Sequence, residues 1–153
     1  MLCIQFQVVD SDPIDISASS LKPIRFKHLL PVPKGLLLFG DNAQYILETT
    51  TEAFAPKTAE INLLSTLSQT DRIAPVDIGS SYIFVEEGLK ASSIYEMSIT
   101  DINTKPQSTE LTRPLPSYIP SAIVDMQVSQ SAGTLAILSK QETRNLYLYR
   151  WFQ

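Results

Sequence analysis

Histidine and cysteine, the side chains most used for proton transfer near neutral pH, thiolate attack and zinc binding, are scarce in this 153-residue chain. There is one histidine, His28, and one cysteine, Cys3, so a zinc site of Cys and His ligands cannot be assembled. His28 has no acid or thiol beside it in the sequence and reads as a structural histidine. Asp10, Asp12 and Asp15 have a spacing that invites calcium. They lack the glycine and distal glutamate of a calcium loop, and turn or capping roles fit them better. Asp41, Glu48, Glu86, Glu87 and Asp125 supply carboxylates, but nothing in their spacing pairs them for acid–base work. Gly35 and Gly40 bracket an apolar run without the Gly-Lys-Ser/Thr of a phosphate loop. No nucleophile elbow or Ser/His/Asp set is present. The expectation is a protein that is not an enzyme, with no catalytic, cofactor-binding or metal-binding residues and no cofactor.

Binding to polyanions is the other chemistry to weigh. Lys22, Arg25, Lys27, His28 and Lys34 form the basic cluster, and it reads as the solvated face of a strand. The net charge is -4, which argues against a sequence-independent nucleic-acid clamp. The six tyrosines, six phenylalanines and Trp151 fall mostly in strand-like runs, where core packing outranks stacking on bases.

The elements that carry these residues are short strands. The composition, 44% apolar and 18% charged, is that of a globular chain with room for one core. Ten prolines lie between apolar runs and disfavour long helices. A single cysteine excludes an intrachain disulfide and fits a reducing compartment. No apolar run approaches the roughly 18 residues of a membrane span. Residues 2–9 alternate as a strand and lack the marks of a signal peptide. Residues 17–22 have room for about one helical turn before Pro23.

Further strands are expected at 24–30, 36–39, 44–48, 59–64, 81–85, 93–99, 122–128, 133–138 and 146–152. Residues 31–35 read as a turn, 65–72 as a loop or a short outer strand, 86–92 as a turn and 100–120 as a proline-rich connection. Leu37 and Phe39 are expected in the core, and Gly40–Ala43 as an exposed hairpin turn.

Strand, turn and strand recur at about 35–48, 79–99 and 133–152. The opening glycines, Gly35, Gly79 and Gly133, lie 44 and 54 residues apart. Spacing of this order, with one strand of each unit apolar on both sides, points to all-β, antiparallel, partial and irregular propeller-like blades. A β-sandwich is the alternative. A propeller ring needs at least about four blades. Residues 1–153 are therefore read as a single all-β segment of a longer chain, an expectation that the abrupt Tyr149–Gln153 end, aromatic up to Phe152, reinforces.

Four stretches, in this order, carry a resemblance: Asp12–Ser20; Leu36–Leu47 running into Ala55–Asn62; Ala74–Phe84; and Tyr118–Pro120 with Leu146–Phe152. Together they resemble tail tubular protein B, the tail nozzle family of short-tailed, podovirus-type bacteriophages, from about residue 10 to the end. The resemblance implies a virion structural protein and an internal, propeller-like piece of a much longer polypeptide. It implies six copies forming a tube below the portal and adaptor rings, assembled in the bacterial host cytoplasm. It also implies tail fibres at the upper junction and DNA passing through without sequence-specific binding. It brings no catalytic residue. A cellular propeller-type scaffold that binds protein or glycan is the competing function, and a propeller hydrolase is a third, for which the acids are too few.

Overall fold

In a computed structural model the described residues are 23–33, 35–49, 55–56, 58–98 and 107–151. They form strands, turns and loops, and none is helical. The first sheet is β1 (Phe26–Val32), β2 (Gly35–Gly40), β3 (Gln44–Thr49) and β4 (Ala59–Ser65), antiparallel in chain order. The second is β5 (Val76–Asp77), β6 (Tyr82–Glu87), β7 (Ser92–Ser98) and β8 (Gln107–Glu110), with the same up-and-down order. The third has β9 (Ile123–Ser129), β10 (Thr134–Ser139) and β11 (Leu146–Arg150), with β10 in the middle.

The sheets pack face to face, and the second lies between the other two. Side chains alternate across a strand, so β6 sends Tyr82 and Phe84 one way and Ile83 and Val85 the other. On the first side, Phe84 and Met97 meet Leu37, Phe39 and Ile46. The Phe39 and Phe84 rings lie 5.7 Å apart at a tilt, and Tyr95 stacks on Phe84 at 5.4 Å. On the other side, Ile83, Val85 and Ile94 pack with Ile123, Met126, Leu135, Ile137 and Tyr147. Each fully buried aliphatic or aromatic side chain contributes roughly 1.5–3 kcal/mol, so two such layers outweigh any single polar contact here.

Polar contacts fix how the sheets sit. Glu87, at the end of β6, accepts from Thr70 Oγ1 (3.1 Å), Arg72 (3.2 Å) and the Ala122 N–H (2.9 Å). It thereby ties the β4–β5 loop to the start of the third sheet. Buried Gln44 donates to the Leu67 carbonyl at 2.8 Å, and the Ser92 N–H donates to the Ile119 carbonyl at 2.9 Å. Ala122 is held at φ 60°, a left-handed conformation that disfavours a Cβ. Its carbonyl accepts from the Lys140 N–H at 2.8 Å, so both of its backbone groups are engaged.

The three expected hairpins are present, and Leu37 and Phe39 are fully buried. The Gly40–Ala43 turn differs from expectation. Gly40 and Ala43 are buried, and Asp41 and Asn42 are partly covered. The cause is the segment before β1: Ile24 packs onto Gly40, and residues 25 and 41 exchange backbone and side-chain hydrogen bonds. The 31–35 turn is shorter than expected, because β1 continues through Pro31 and Val32. A proline is tolerated there because β1 is an edge strand. The turn expected at 86–92 is likewise shorter, since β6 runs to Glu87 and β7 starts at Ser92. Within the 100–120 connection lies a strand, β8, which the polar sequence Gln107–Glu110 hides. The strand expected at 2–9 and the short helix at 17–22 lie outside the described residues.

Glycine is required where hairpins close. At Gly133, φ is 56° and a Cβ would sit 2.7 Å from the Trp151 carbonyl oxygen. At Gly35 it would meet the Leu47 carbonyl oxygen at 2.0 Å. Two outcomes are expected from urea unfolding. Phe84→Ala lowers stability by about 3–5 kcal/mol, the range for an aromatic truncated in a sealed core. Ala122→Gly raises it by about 1 kcal/mol through release of the left-handed strain.

Candidate functional site

The residues whose types could do chemistry are dispersed over separate elements, each with a local partner. His28, on β1, has Nε2 3.2 Å from the Thr70 carbonyl oxygen, a contact between the first sheet and the loop that follows it. Asp41 accepts from the Arg25 N–H, and Glu48 from Asn62 across β3–β4 at 2.8 Å. Asp125 accepts from the Met126 N–H at 2.8 Å and from Gln127. Glu86 lies beside Tyr95, and Glu87 is the tie described above. The five carboxylates are thus held by turn, strand and inter-sheet contacts. Among the described residues no group of three or more His, Cys, Asp or Glu could hold a metal ion. Cys3, Asp10, Asp12, Asp15, Lys22 and Lys34 lie outside the described residues. Within the basic cluster, Lys27 pairs with Asp71 at 3.6 Å, and Arg25 is exposed.

The tyrosines are the titratable groups that the fold moves. Burial, then the Glu86 carboxylate and its hydrogen bond, then Glu110, push Tyr95 up to about 12. Burial also raises Tyr82 and Tyr149, with Asp77 and Glu96 adding to it respectively. Tyr147 is raised chiefly by its hydrogen bond to Glu142, and the same bond lowers Glu142. The Tyr147 ring is buried while its hydroxyl reaches the exposed Glu142. Tyr95 and Tyr147 are thus packing groups whose hydroxyls meet the Glu86 and Glu142 carboxylates.

What the surface offers is apolar sheet. On β11, Tyr147 and Tyr149 face the second sheet, while Leu146 and Leu148 face outward and are each more than half exposed. Leu138 and Val124 are exposed as well. On the first sheet, Phe26, Leu29 and Leu63 are exposed around the buried pair Leu38 and Tyr45. Between β11 and the 111–119 connection lies an apolar cavity of about 210 Å³. The exposed leucines of β11 were not singled out from the sequence as a surface. The signal was available: Leu146–Tyr149 is apolar at every position, as in a strand covered on both faces.

Fold and surface together define a class. This is an all-β protein of antiparallel sheets stacked face to face. The sequence profile of the bacteriophage nozzle proteins matches residues 5–153, and the chain belongs to that family of phage tail structural proteins. It is also similar to the tail tubular protein gp12 of Escherichia phage T7, at 26% identity over 143 residues. That match covers 93% of this chain but only 18% of the length of the T7 protein. Among the described residues, no helix is long and apolar enough to cross a membrane.

The tyrosine environments have a consequence for stability. A folded-state phenol raised above its usual 10 stabilises the fold fully below that value. The contribution is lost as pH rises from 10 through about 12, because the unfolded chain gives up the proton first. Urea midpoints are therefore expected to fall over this window, and Tyr95→Phe is expected to make the fall smaller.

Proposed function

We propose that the chain forms part of the wall of a phage tail nozzle, as a run of propeller-like blades in a homo-hexameric tube that conducts DNA during ejection. The observation that carries this reading is the second sheet, which is buried on both faces between consecutive meanders of the same chain. Up-and-down sheets stacked in chain order are how propeller blades pack around an axis. Family membership supplies the tail as the place where that wall stands.

Within the tube, the fold works as a rigid partition without a reaction centre. The net charge of -4 suits a conduit, since an acidic wall repels phosphates and lets DNA slide. An adaptor ring above, tail fibres at the upper junction and assembly in the host cytoplasm complete the reading.

The experiment is native mass spectrometry and negative-stain electron microscopy on the product of the whole reading frame, with peptide mapping of purified phage tails. Rings of six copies and peptides of this segment in the tails are expected. A monomeric product absent from tails would contradict the proposal.

A further inference from the structure

We propose that the free edge of β11 is an acceptor for a fourth antiparallel strand, supplied by the segment that follows β11 in a longer polypeptide. This rests on the reading of the chain as a segment of a longer nozzle-type protein. The topology motivates it. The first and second sheets are meanders of four strands, each ending on the strand that comes last in the chain. Among the described residues the third sheet follows the same path and has three.

The backbone of β11 is set up to receive a neighbour. The Trp151 N–H donates to the Gly133 carbonyl oxygen at 3.0 Å. Hydrogen-bonding direction alternates along a strand, so Tyr149 and Tyr147 also direct their backbone groups at β10. The N–H and C=O groups of Leu146, Leu148 and Arg150 therefore point to the open side. Other edges carry features that discourage pairing: Lys27 and Pro31 on β1, Glu60 on β4, Asp125 on β9, and the short polar β8. On β11 only Arg150, at the strand's end, is charged.

Side chains agree with the backbone. The cavity beside β11 is lined by Leu111, Leu115 and Tyr118 on one side and by Tyr147 and Tyr149 on the other, with Leu135 between them. A strand laid against β11 would place every second side chain over this cavity, covering the exposed Leu115 and Tyr118. Its other side chains would extend the outer row of Leu146 and Leu148. The occupant is thus an extended segment with apolar residues at alternate positions. It should follow β11 after a connection like those at 50–58 and 99–106. The relative's length leaves ample chain to provide it, since the match spans 18% of the T7 protein.

Hydrogen exchange read residue by residue tests this, on the 153-residue chain and on the product of the whole reading frame that carries it. The amides of Leu146, Leu148 and Arg150 are expected to exchange rapidly in the short chain and about 100-fold more slowly in the long one. Tyr147 and Tyr149, bonded to β10, serve as the folding control. Leu148→Pro removes an outward N–H without touching the β10–β11 bonds. In the long product it is expected to abolish the added protection at Leu146 and Arg150, which decides the matter even if the short chain fails to fold. Equal exchange in the two products would overturn the proposal. So would a reading frame ending at Gln153, or protection that vanishes on dilution together with a dimer mass. Edge protection without tail incorporation would instead sink the nozzle reading and leave the strand acceptor standing.

Discussion

Phe84 and Val85 are adjacent in the chain and both are fully buried, so β6 must have a sheet on each of its faces. This constraint organises the molecule. Phe84 requires the Leu37, Phe39 and Ile46 surface on one side, and Val85 requires the Leu135 and Ile137 surface on the other. Neither outer sheet could be removed without exposing a complete apolar layer. The polar contacts follow from the stack. Glu87 sits where β6 leaves the sandwiched layer, and there it meets both the loop arriving from the first sheet and the chain entering the third.

The same constraint explains what could be read in the sequence. Leu36–Phe39, Ile83–Val85 and Leu135–Ile137 are short runs apolar at nearly every position; they mark the strands nearest the core, although only β6 has a sheet on both of its faces. The glycines that open their hairpins mark left-handed or crowded backbone, so the repeat was visible before the packing was. β8 was not visible. Gln107–Glu110 has no apolar face, and it is a strand because β7 offers it an edge, with Met97 opposite Ser108. The burial of Gly40 and Ala43 depends on Ile24, distant in sequence and close in space. Glu87 looked like any turn acid because its partners lie 17 and 35 residues away.

The candidate site shows the same division. That His28 and the carboxylates do not converge could be anticipated from their spacing, whereas the distant partners of His28 and Glu87 could not. The apolar surface of β11 was present in the letters Leu-Tyr-Leu-Tyr but could not be recognised as surface until the third sheet, among the described residues, proved to have three strands. A protein of this construction holds shape by covering sheet with sheet. That is what the proposed place in a tube wall would require, since such a wall must stay rigid while a charged polymer passes it.

The most direct measurement is a cryo-electron microscopy reconstruction of the phage tail at a resolution that separates strands. The account predicts that this segment appears in the tube wall as consecutive antiparallel meanders, stacked face to face, with Phe39 and Phe84 in contact between the first two. Density showing the segment outside the tube, or its sheets separated with the β6 layer open to solvent, would contradict it.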